Sequence, residues 1–233
     1  MRTLLLAPFH ERSFRLLADL VGRAYVDVYL PLPVEVCVNP ALVDSLPSWF
    51  SSYIRVWEPL LVALRSCSRC VCYSELGSFE EAIDVVIKIL ALVYKARVFN
   101  KIDPLEWVSV LPSEVKPSAP CSWSGVLVID DFKEYVLLRK RGVRFDHVVR
   151  VEDFTPSPLE LLFLVRAGVV EWSCGLEELI KWVVEYLGDL VLHSGSLTEV
   201  YDKLRINSRY LGFITACSGE IADYLSNSTV FPS

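Results

Sequence analysis

Short apolar runs alternate with amphipathic segments along the first two thirds of the chain. The apolar run that ends at Pro8-Phe9-His10 predicts a first buried strand. The apolar residues after it have helical spacing and predict an amphipathic helix. Its apolar face holds Phe14, Leu17, Leu20, Val21 and Ala24. The β-branched and aromatic stretch from Tyr25 to Leu30 predicts a second strand, which we expect Pro31 and Pro33 to end.

The same alternation continues beyond the second strand. A helix is predicted from Trp49 to Arg65, with a kink or break at Pro59, and "RCVCYS" then predicts a short strand. The apolar stretch from Ala82 to Phe99 is interpreted as a buried helix that runs into a strand, because "ARVFN" precedes a turn and a helix start at Asp103-Pro104. "GVLVID" and "HVVRVE" predict two further strands.

Strands separated by helices of this length require crossover connections, which predict a three-layer α/β fold with a mostly parallel sheet and helices on both faces. The pattern changes after residue 174. Three amphipathic helices are predicted there, from Leu176 to Leu192, Leu197 to Ile206 and Arg209 to Leu225. We therefore expect an α/β domain over residues 1–174 and a C-terminal helical extension over residues 175–233, packed on that domain.

The high apolar content raises the question of a membrane span. The chain is 53% hydrophobic, with a mean hydropathy of +0.39. However, the longest apolar stretch is interrupted by Asp84, Lys88 and Lys95, which a spanning helix would not tolerate cheaply. The first apolar run is too short for a signal peptide. No membrane span and a cytoplasmic location are the expectations.

The charge balance argues against a nucleic-acid partner. The chain has a formal charge of −6 and a pI near 5.2, whereas phosphate contacts need clustered basic residues. Arg139, Lys140, Arg141 and Arg144 form the main basic cluster, and a solvated helix end explains them. The expected partner is a protein or a small ligand, with possible oligomerisation through the C-terminal helices.

Candidate site residues follow from the rule that parallel α/β folds bind ligands beyond the carboxyl ends of their strands. The rule selects His10, Pro31 to Glu35, Tyr73 to Glu75, Asn100 to Asp103, and Asp130 with Asp131. The candidate catalytic residues among them are His10, Glu75, Asp103, Asp130 and Asp131. Each also has a structural interpretation: His10 as a hydrogen-bonded residue at a strand end, and one of the aspartates as a helix cap. No glycine-rich phosphate loop is present, so nucleotide hydrolysis by the "VLVIDD" carboxylates is not favoured.

Seven cysteines include the constellation Cys67, Cys70 and Cys72. Reduced or core thiols are the expectation for most of them, with a disulfide or a metal site as alternatives. Tetrahedral zinc needs a fourth ligand, and no second cysteine or histidine pair stands at a recognisable spacing. The sequence identifies no cofactor.

Several short segments resemble the TraB/ChaN-like superfamily, which includes erythromycin-esterase-like proteins. "APFH" is similar to that family's first Gly-x-x-His motif, with Ala7 for the glycine and His10 for the histidine. "KARVFNKIDP" is similar to its third element, with Asp103 in place. Leu30 and Pro31 stand where the family has a glutamate. In "VLVIDDFK", Asp130 and Lys133 replace the glycine and histidine of the second motif.

This resemblance implies an α/β domain that keeps one histidine and one aspartate of the family's presumed hydrolytic set. The leading hypothesis is therefore a degenerate, non-catalytic binding or regulatory protein. A hydrolase that uses His10 with Asp or Glu residues at strand ends, with or without a metal ion, is the first alternative. A subunit of a larger assembly is the second.

Overall fold

The computed structural model describes residues 1–47 and 50–226. Its strands are β1 (Arg2–Leu6), β2 (Val28–Pro33), β3 (Cys70–Ser74), β4 (Gly125–Ile129) and β5 (His147–Arg150). The helices before β5 are α1 (Glu11–Val21), α2 (Val34–Val38), a 3₁₀ helix (Pro40–Ser45), α3 (Ser51–Leu64), α4 (Leu76–Phe99), α5 (Pro104–Val110) and α6 (Phe132–Lys140). Those after it are α7 (Pro158–Arg166), α8 (Leu176–Glu185), a π-helical segment (Tyr186–Val191), α9 (Leu197–Arg205), α10 (Ser208–Cys217) and α11 (Gly219–Ser226).

The five strands form one parallel sheet in the order β3-β2-β4-β1-β5. Leu4, Leu5 and Leu6 of β1 are buried, and so are Leu127 to Ile129 of β4. A strand buried on both faces needs helices on both faces, which accounts for its unbroken apolar sequence. The predicted three-layer α/β class is confirmed.

The carboxyl ends of three strands lie side by side. Leu6 of β1 is in register with Ile129 of β4 and with Arg150 of β5. The backbone bonding continues one residue further, from Ala7 N to Ile129 O and from Val151 N to Leu6 O, at 2.8 Å each. Residues that follow β1 therefore have the end of β4 on one side and the end of β5 on the other.

The order of the strands also contains a switch point between β2 and β4. The chain leaves β2 toward the β3 edge of the sheet and leaves β4 toward the β5 edge. Right-handed crossovers then place the helices that follow these two strands on opposite faces of the sheet. The connections that contain α1 and α3 both lead toward the β3 edge, and these two helices pack together on one face. Such divergence opens a crevice at the carboxyl ends of the two strands.

Gly125 allows β4 to enter between β1 and β2. Its φ is +105°, and a Cβ there would lie 2.2 Å from the carbonyl oxygen of Asp27. The neighbouring Val126 N donates to that same oxygen at 2.9 Å. Only glycine combines this conformation with so close a backbone approach.

Two strand predictions were wrong in their bounds. β2 extends through Pro31 and Pro33, because its pairing with β4 covers only Val28 and Tyr29 and its register with β3 shifts after Leu30. A proline costs little where no ladder bond is needed. The segment "ARVF" is the last turn of α4, not a strand, since Ile89, Leu92, Val93 and Ala96 continue one buried helical face.

Two helix predictions also differ from the structure. α3 runs through Pro59 without a break, and its predicted start at Trp49 lies outside the described residues. The predicted helix from Arg209 to Leu225 is divided at Ser218, whose backbone is extended. Ser218 Oγ accepts from Ile221 N at 3.5 Å, so the residue ends α10 and caps α11.

The chain divides into two compact units, each assembled from segments that are distant in sequence. Unit 1 contains Met1–Ser78 and Pro117–Phe154 and holds the whole sheet. Unit 2 contains Phe79–Lys116 and the described residues from Thr155 onward, and it is helical. α4 and α5 thus belong with the C-terminal helices, a grouping that sequence distance conceals.

Candidate functional site

The end of β1 is closed by His10. This residue is fully buried and is the N-cap of α1, where its Nδ1 accepts a hydrogen bond from Ser13 N at 3.3 Å. The first turn of a helix has backbone N–H groups without intrahelical acceptors, and the imidazole supplies one. Histidine here does the work that serine or aspartate usually does at a helix start.

The other ring nitrogen of His10 contacts a carboxylate from the end of β5. Nε2 lies 3.0 Å from Glu152 Oε2, and Arg12 Nε donates to Glu152 Oε1 at 2.5 Å. Burial alone raises the pKa of Glu152, but the hydrogen bonds from His10 and Arg12 outweigh it and hold the pKa below its usual value. One charged carboxylate therefore ties α1 to the end of β5.

These contacts fix the tautomer of His10. Nδ1 acts as an acceptor toward Ser13 N, so a neutral ring carries its proton on Nε2, which lies 3.0 Å from Glu152 Oε2. A general base needs a free lone pair directed at substrate. In His10 that lone pair already caps a helix within the core.

Aromatic and apolar side chains surround the loop that carries His10. The ring of Phe9 packs at 5.5 Å from Phe14 and at 5.2 Å from Tyr53. The second strand ends in Leu30, Pro31, Leu32 and Pro33, all of which are buried. Leu30 and Pro31, which the sequence comparison sets against a glutamate, are thus part of the core.

The end of β4 carries a different set of groups. Asp131 is the N-cap of α6 and accepts from Lys133 N at 2.7 Å, while Lys133 Nζ lies 3.2 Å from its Oδ2. Asp130 is half-buried. Loss of water around its carboxyl group is the largest cause that raises its pKa well above 3.8, and the negative charge of Asp131 raises the pKa further.

Glu134 is a buried acid in the first turn of α6. Its carboxylate accepts from Ser118 N at 2.8 Å and from Ala119 N at 3.2 Å, so it fastens the loop before β4. Burial raises its pKa, and the charge of Lys133 and the two backbone donors only partly oppose that shift. Lys133 Nζ lies 3.7 Å from Glu134 Oε1, so this one ammonium group pairs with both Asp131 and Glu134.

Two tyrosines complete the β4 end. Tyr73 of β3 donates from its hydroxyl to Val128 O at 2.8 Å. Burial, and next the charge of Asp130, raise its pKa well above 10.0, and the same two causes raise the pKa of Tyr53 on α3. Both phenols therefore remain protonated donors near a carboxyl group that itself resists ionisation.

The five predicted residues do not form one constellation. Asp130 and Asp131 lie together at the switch point, while His10 contacts Glu152, on the opposite side of β1. Glu75 follows β3 and is exposed. Asp103 belongs to unit 2, where it caps α5 by accepting from Leu105 N at 3.0 Å.

Sequence reasoning missed the groups that decide the chemistry of His10. Glu152 was placed inside the strand "HVVRVE", whereas β5 ends at Arg150. Applied to that shorter strand, the same strand-end rule selects Glu152. Tyr73 lies in the strand-end stretch that the rule selects, whereas Arg12 and Tyr53, in the first turns of α1 and α3, have no sequence signal of their own.

Six cysteines are paired in three disulfides, which differs from the expected reduced thiols. The pairs are Cys37–Cys72, Cys67–Cys70 and Cys174–Cys217, and Cys121 is free and exposed. Cys67 and Cys70 bond to each other and Cys72 bonds to α2, so the three candidate metal ligands serve as covalent links. Within residues 1–47 and 50–226, no three His, Cys, Asp or Glu side chains are grouped to hold a metal ion.

Comparisons with known proteins leave the family open. No protein-family model, curated protein or solved structure matches the chain. No helix in the described part of the chain is long and apolar enough to cross a membrane. The assignment of a function therefore depends on the two strand ends described above.

Proposed function

We propose that this chain is a non-catalytic α/β binding or regulatory protein, a degenerate relative of the TraB/ChaN-like superfamily, that acts on a protein partner or a small ligand. The observation that carries the proposal is the engagement of both ring nitrogens of His10, one in a helix cap and one with Glu152. The residue that most resembles a catalytic group is used to hold α1 on the sheet.

The surroundings of His10 support the same proposal. A hydrolytic site needs room for substrate and water beside its base. Here the loop is packed by Phe9 and Tyr53, and the position of the missing glutamate is filled by buried Leu30 and Pro31. Of the four positions that the resemblance compares, the glutamate position is thus filled by apolar packing and the second histidine position by Lys133, which pairs with Asp131.

A hydrolysis assay of the full chain tests this proposal. Wild type, His10→Asn and Asp130→Asn are compared on p-nitrophenyl acetate and p-nitrophenyl phosphate, with and without added Mg²⁺ or Zn²⁺. Asparagine retains a capping oxygen for Ser13 N, which keeps α1 capped. We expect equal background rates for all three proteins. A wild-type rate roughly tenfold or more above that of His10→Asn would overturn the proposal.

A second candidate function is acid–base catalysis at the β4 end without His10. It is favoured by one specific observation: Asp130, at the switch point, has a raised pKa and two protonated phenols nearby. This candidate predicts a rate that is lost in Asp130→Asn, kept in His10→Asn and dependent on the ionisation of one acid. The same assay therefore separates the two functions.

A further inference from the structure

The turn that joins α3 to β3 carries a disulfide between Cys67 and Cys70. Both cysteines are half-buried, and the neighbouring residues Ser66, Ser68 and Arg69 are exposed. Cys67 lies in the turn itself, whereas Cys70 is the first residue of β3. The turn around this disulfide is therefore open to solvent.

The three disulfides close loops of very different sizes. The paired cysteines are 3 residues apart in Cys67–Cys70, 35 apart in Cys37–Cys72 and 43 apart in Cys174–Cys217. By chain entropy, the shortest loop restricts the unfolded chain about half as much as either of the longer ones. Cys37–Cys72 also ties α2 to β3, whereas Cys67–Cys70 joins no two separate elements of the fold across a long loop. Opening Cys67–Cys70 thus costs the fold less than opening either of the other two.

Noncovalent contacts hold the same turn in place. Val28 N of β2 donates to Arg69 O at 2.9 Å. The guanidinium of Arg69 donates to Tyr25 O at 2.8 Å and to Asp27 Oδ1 at 3.0 Å. The sulfur atoms take no part in these bonds, so we expect the bonds to persist when the disulfide is open. Two thiols kept side by side have a high effective concentration, which lets the disulfide form again.

We propose that Cys67–Cys70 is a reversible thiol–disulfide exchange site for a small thiol reductant. The thiolate of the reductant attacks Cys67 Sγ in the exposed turn, the Cys67–Cys70 bond breaks, and Cys70 leaves as a thiolate. A second reductant thiolate attacks the reductant's own sulfur in the mixed disulfide and releases Cys67. The reductant becomes a disulfide, two electrons reach the cysteine pair, and the protons of two reductant thiols end on Cys67 and Cys70.

The spacing and the charge of the turn favour this exchange. Cys-x-x-Cys is the spacing of many redox-active cysteine pairs. Arg65 and Arg69 are exposed and lie two residues before and two residues after Cys67. A nearby cation stabilises a thiolate and so promotes its departure. Asp27 offsets part of this charge through its contact with Arg69, but the net charge of the three side chains is still positive.

A dithiothreitol titration of the full chain tests the proposal, with the other two disulfides as internal controls. After alkylation with iodoacetamide, peptide mass spectrometry measures the reduced fraction of each pair, and the free thiol of Cys121 reports complete labelling. We expect half-reduction of Cys67–Cys70 at a roughly tenfold lower dithiothreitol concentration than for either other pair. The circular dichroism spectrum should not change at that point, and the bond should form again when dithiothreitol is removed.

Three results of the titration would overturn the proposal. They are reduction of Cys67–Cys70 together with or after the other pairs, loss of helical signal as this pair opens, and failure of the bond to form again in air.

Single-cysteine variants test the order of attack. In a Cys121→Ser background, Cys70→Ser leaves the thiol of Cys67 and Cys67→Ser leaves that of Cys70. Oxidised glutathione should form a mixed disulfide with Cys67 about threefold or more faster than with Cys70, because Cys67 lies in the exposed turn. Equal rates, or a faster reaction at Cys70, would overturn this order, and no mixed disulfide at either residue would overturn the exchange site. None of these outcomes depends on the proposed function at the ends of β1 and β4.

Discussion

The ends of β1 and β4 are neighbours in the sheet and differ in how their charges are satisfied. At the end of β1, His10 and Arg12 hold a carboxylate in its charged form. At the end of β4, burial and the charge of Asp131 disfavour the charged form of Asp130. The first arrangement stabilises the folded protein, and the second destabilises it at neutral pH.

This contrast assigns different roles to two ends that look alike in sequence. Groups kept in an unfavourable state are typical of functional sites, because a site chosen for stability alone would not keep them. We therefore interpret the β1 end as structural. The β4 end is where any ligand chemistry of this sheet is to be sought.

Removal of the His10 side chain should have the largest effect. His10→Ala deletes a helix cap, leaves a cavity in the core and removes the ring nitrogen that lies 3.0 Å from Glu152, so we expect a loss of about 3–5 kcal/mol in the free energy of unfolding. Urea denaturation measures it. His147→Ala at the exposed start of β5 is the control and should cost less than about 0.5 kcal/mol. An equally small loss of unfolding free energy in His10→Ala would contradict the structural role of the β1 end.

Neutralisation of Glu152 should have an intermediate effect. Glu152→Gln keeps the shape but removes the charge that His10 and Arg12 contact, so we expect a loss of about 1.5–3 kcal/mol at pH 7. Glu114→Gln, at a side chain that is 73% exposed, is the matched control. If both variants are equally stable in urea, the charge of Glu152 does not stabilise the β1 end.

Acid titration should show the sign of the Glu152 contribution. Its folded pKa is lowered, so the stabilisation is complete above the unfolded value of 4.5 and is lost as the pH falls through the folded pKa. The stability difference between wild type and Glu152→Gln should therefore shrink below pH 4.5. A difference that grows in acid contradicts this assignment.

Neutralisation of Asp130 should have the smallest effect and the opposite sign. The pKa of Asp130 is higher in the folded than in the unfolded protein. Asp130 therefore favours folding most below its unfolded pKa of 3.8, and this contribution to stability is lost as the pH rises through the folded pKa. Asp130→Asn should thus stabilise the protein by about 1 kcal/mol at pH 7, and less in acid. Thermal unfolding checks this result against Asp19→Asn on the exposed face of α1. A destabilised Asp130→Asn variant would remove the distinction between the two ends.

The sequence predicted the layers of the fold better than the contacts of the site. Alternating apolar runs indicated every strand of the sheet, and the pattern is strongest in β1, β2 and β4, most of whose residues are buried. The grouping of α4 with the C-terminal helices was not predictable in this way, since it depends on contacts between distant segments. The true extent of β2 was hidden by Pro31 and Pro33, which are tolerated only because of a register shift.

The candidate site was predicted in position but not in pairing. The strand-end rule selected His10, Asp130 and Asp131, and all three lie at the carboxyl edge of the sheet. Which carboxylate reaches His10 depends on the strand order, which places β5 beside β1. Local sequence carries no signal for that order, so Glu152 emerged only from the fold.

The tautomer of His10 tests the central claim most directly. Two-dimensional ¹H–¹⁵N NMR of histidine-labelled protein resolves the rings of His10, His147 and His193, and His10→Asn assigns the first. At neutral pH we expect His10 to show an unprotonated Nδ1 and a protonated Nε2 whose proton is protected from solvent. A protonated Nδ1, or an Nε2 proton that exchanges freely with water, would contradict the structural role assigned to His10.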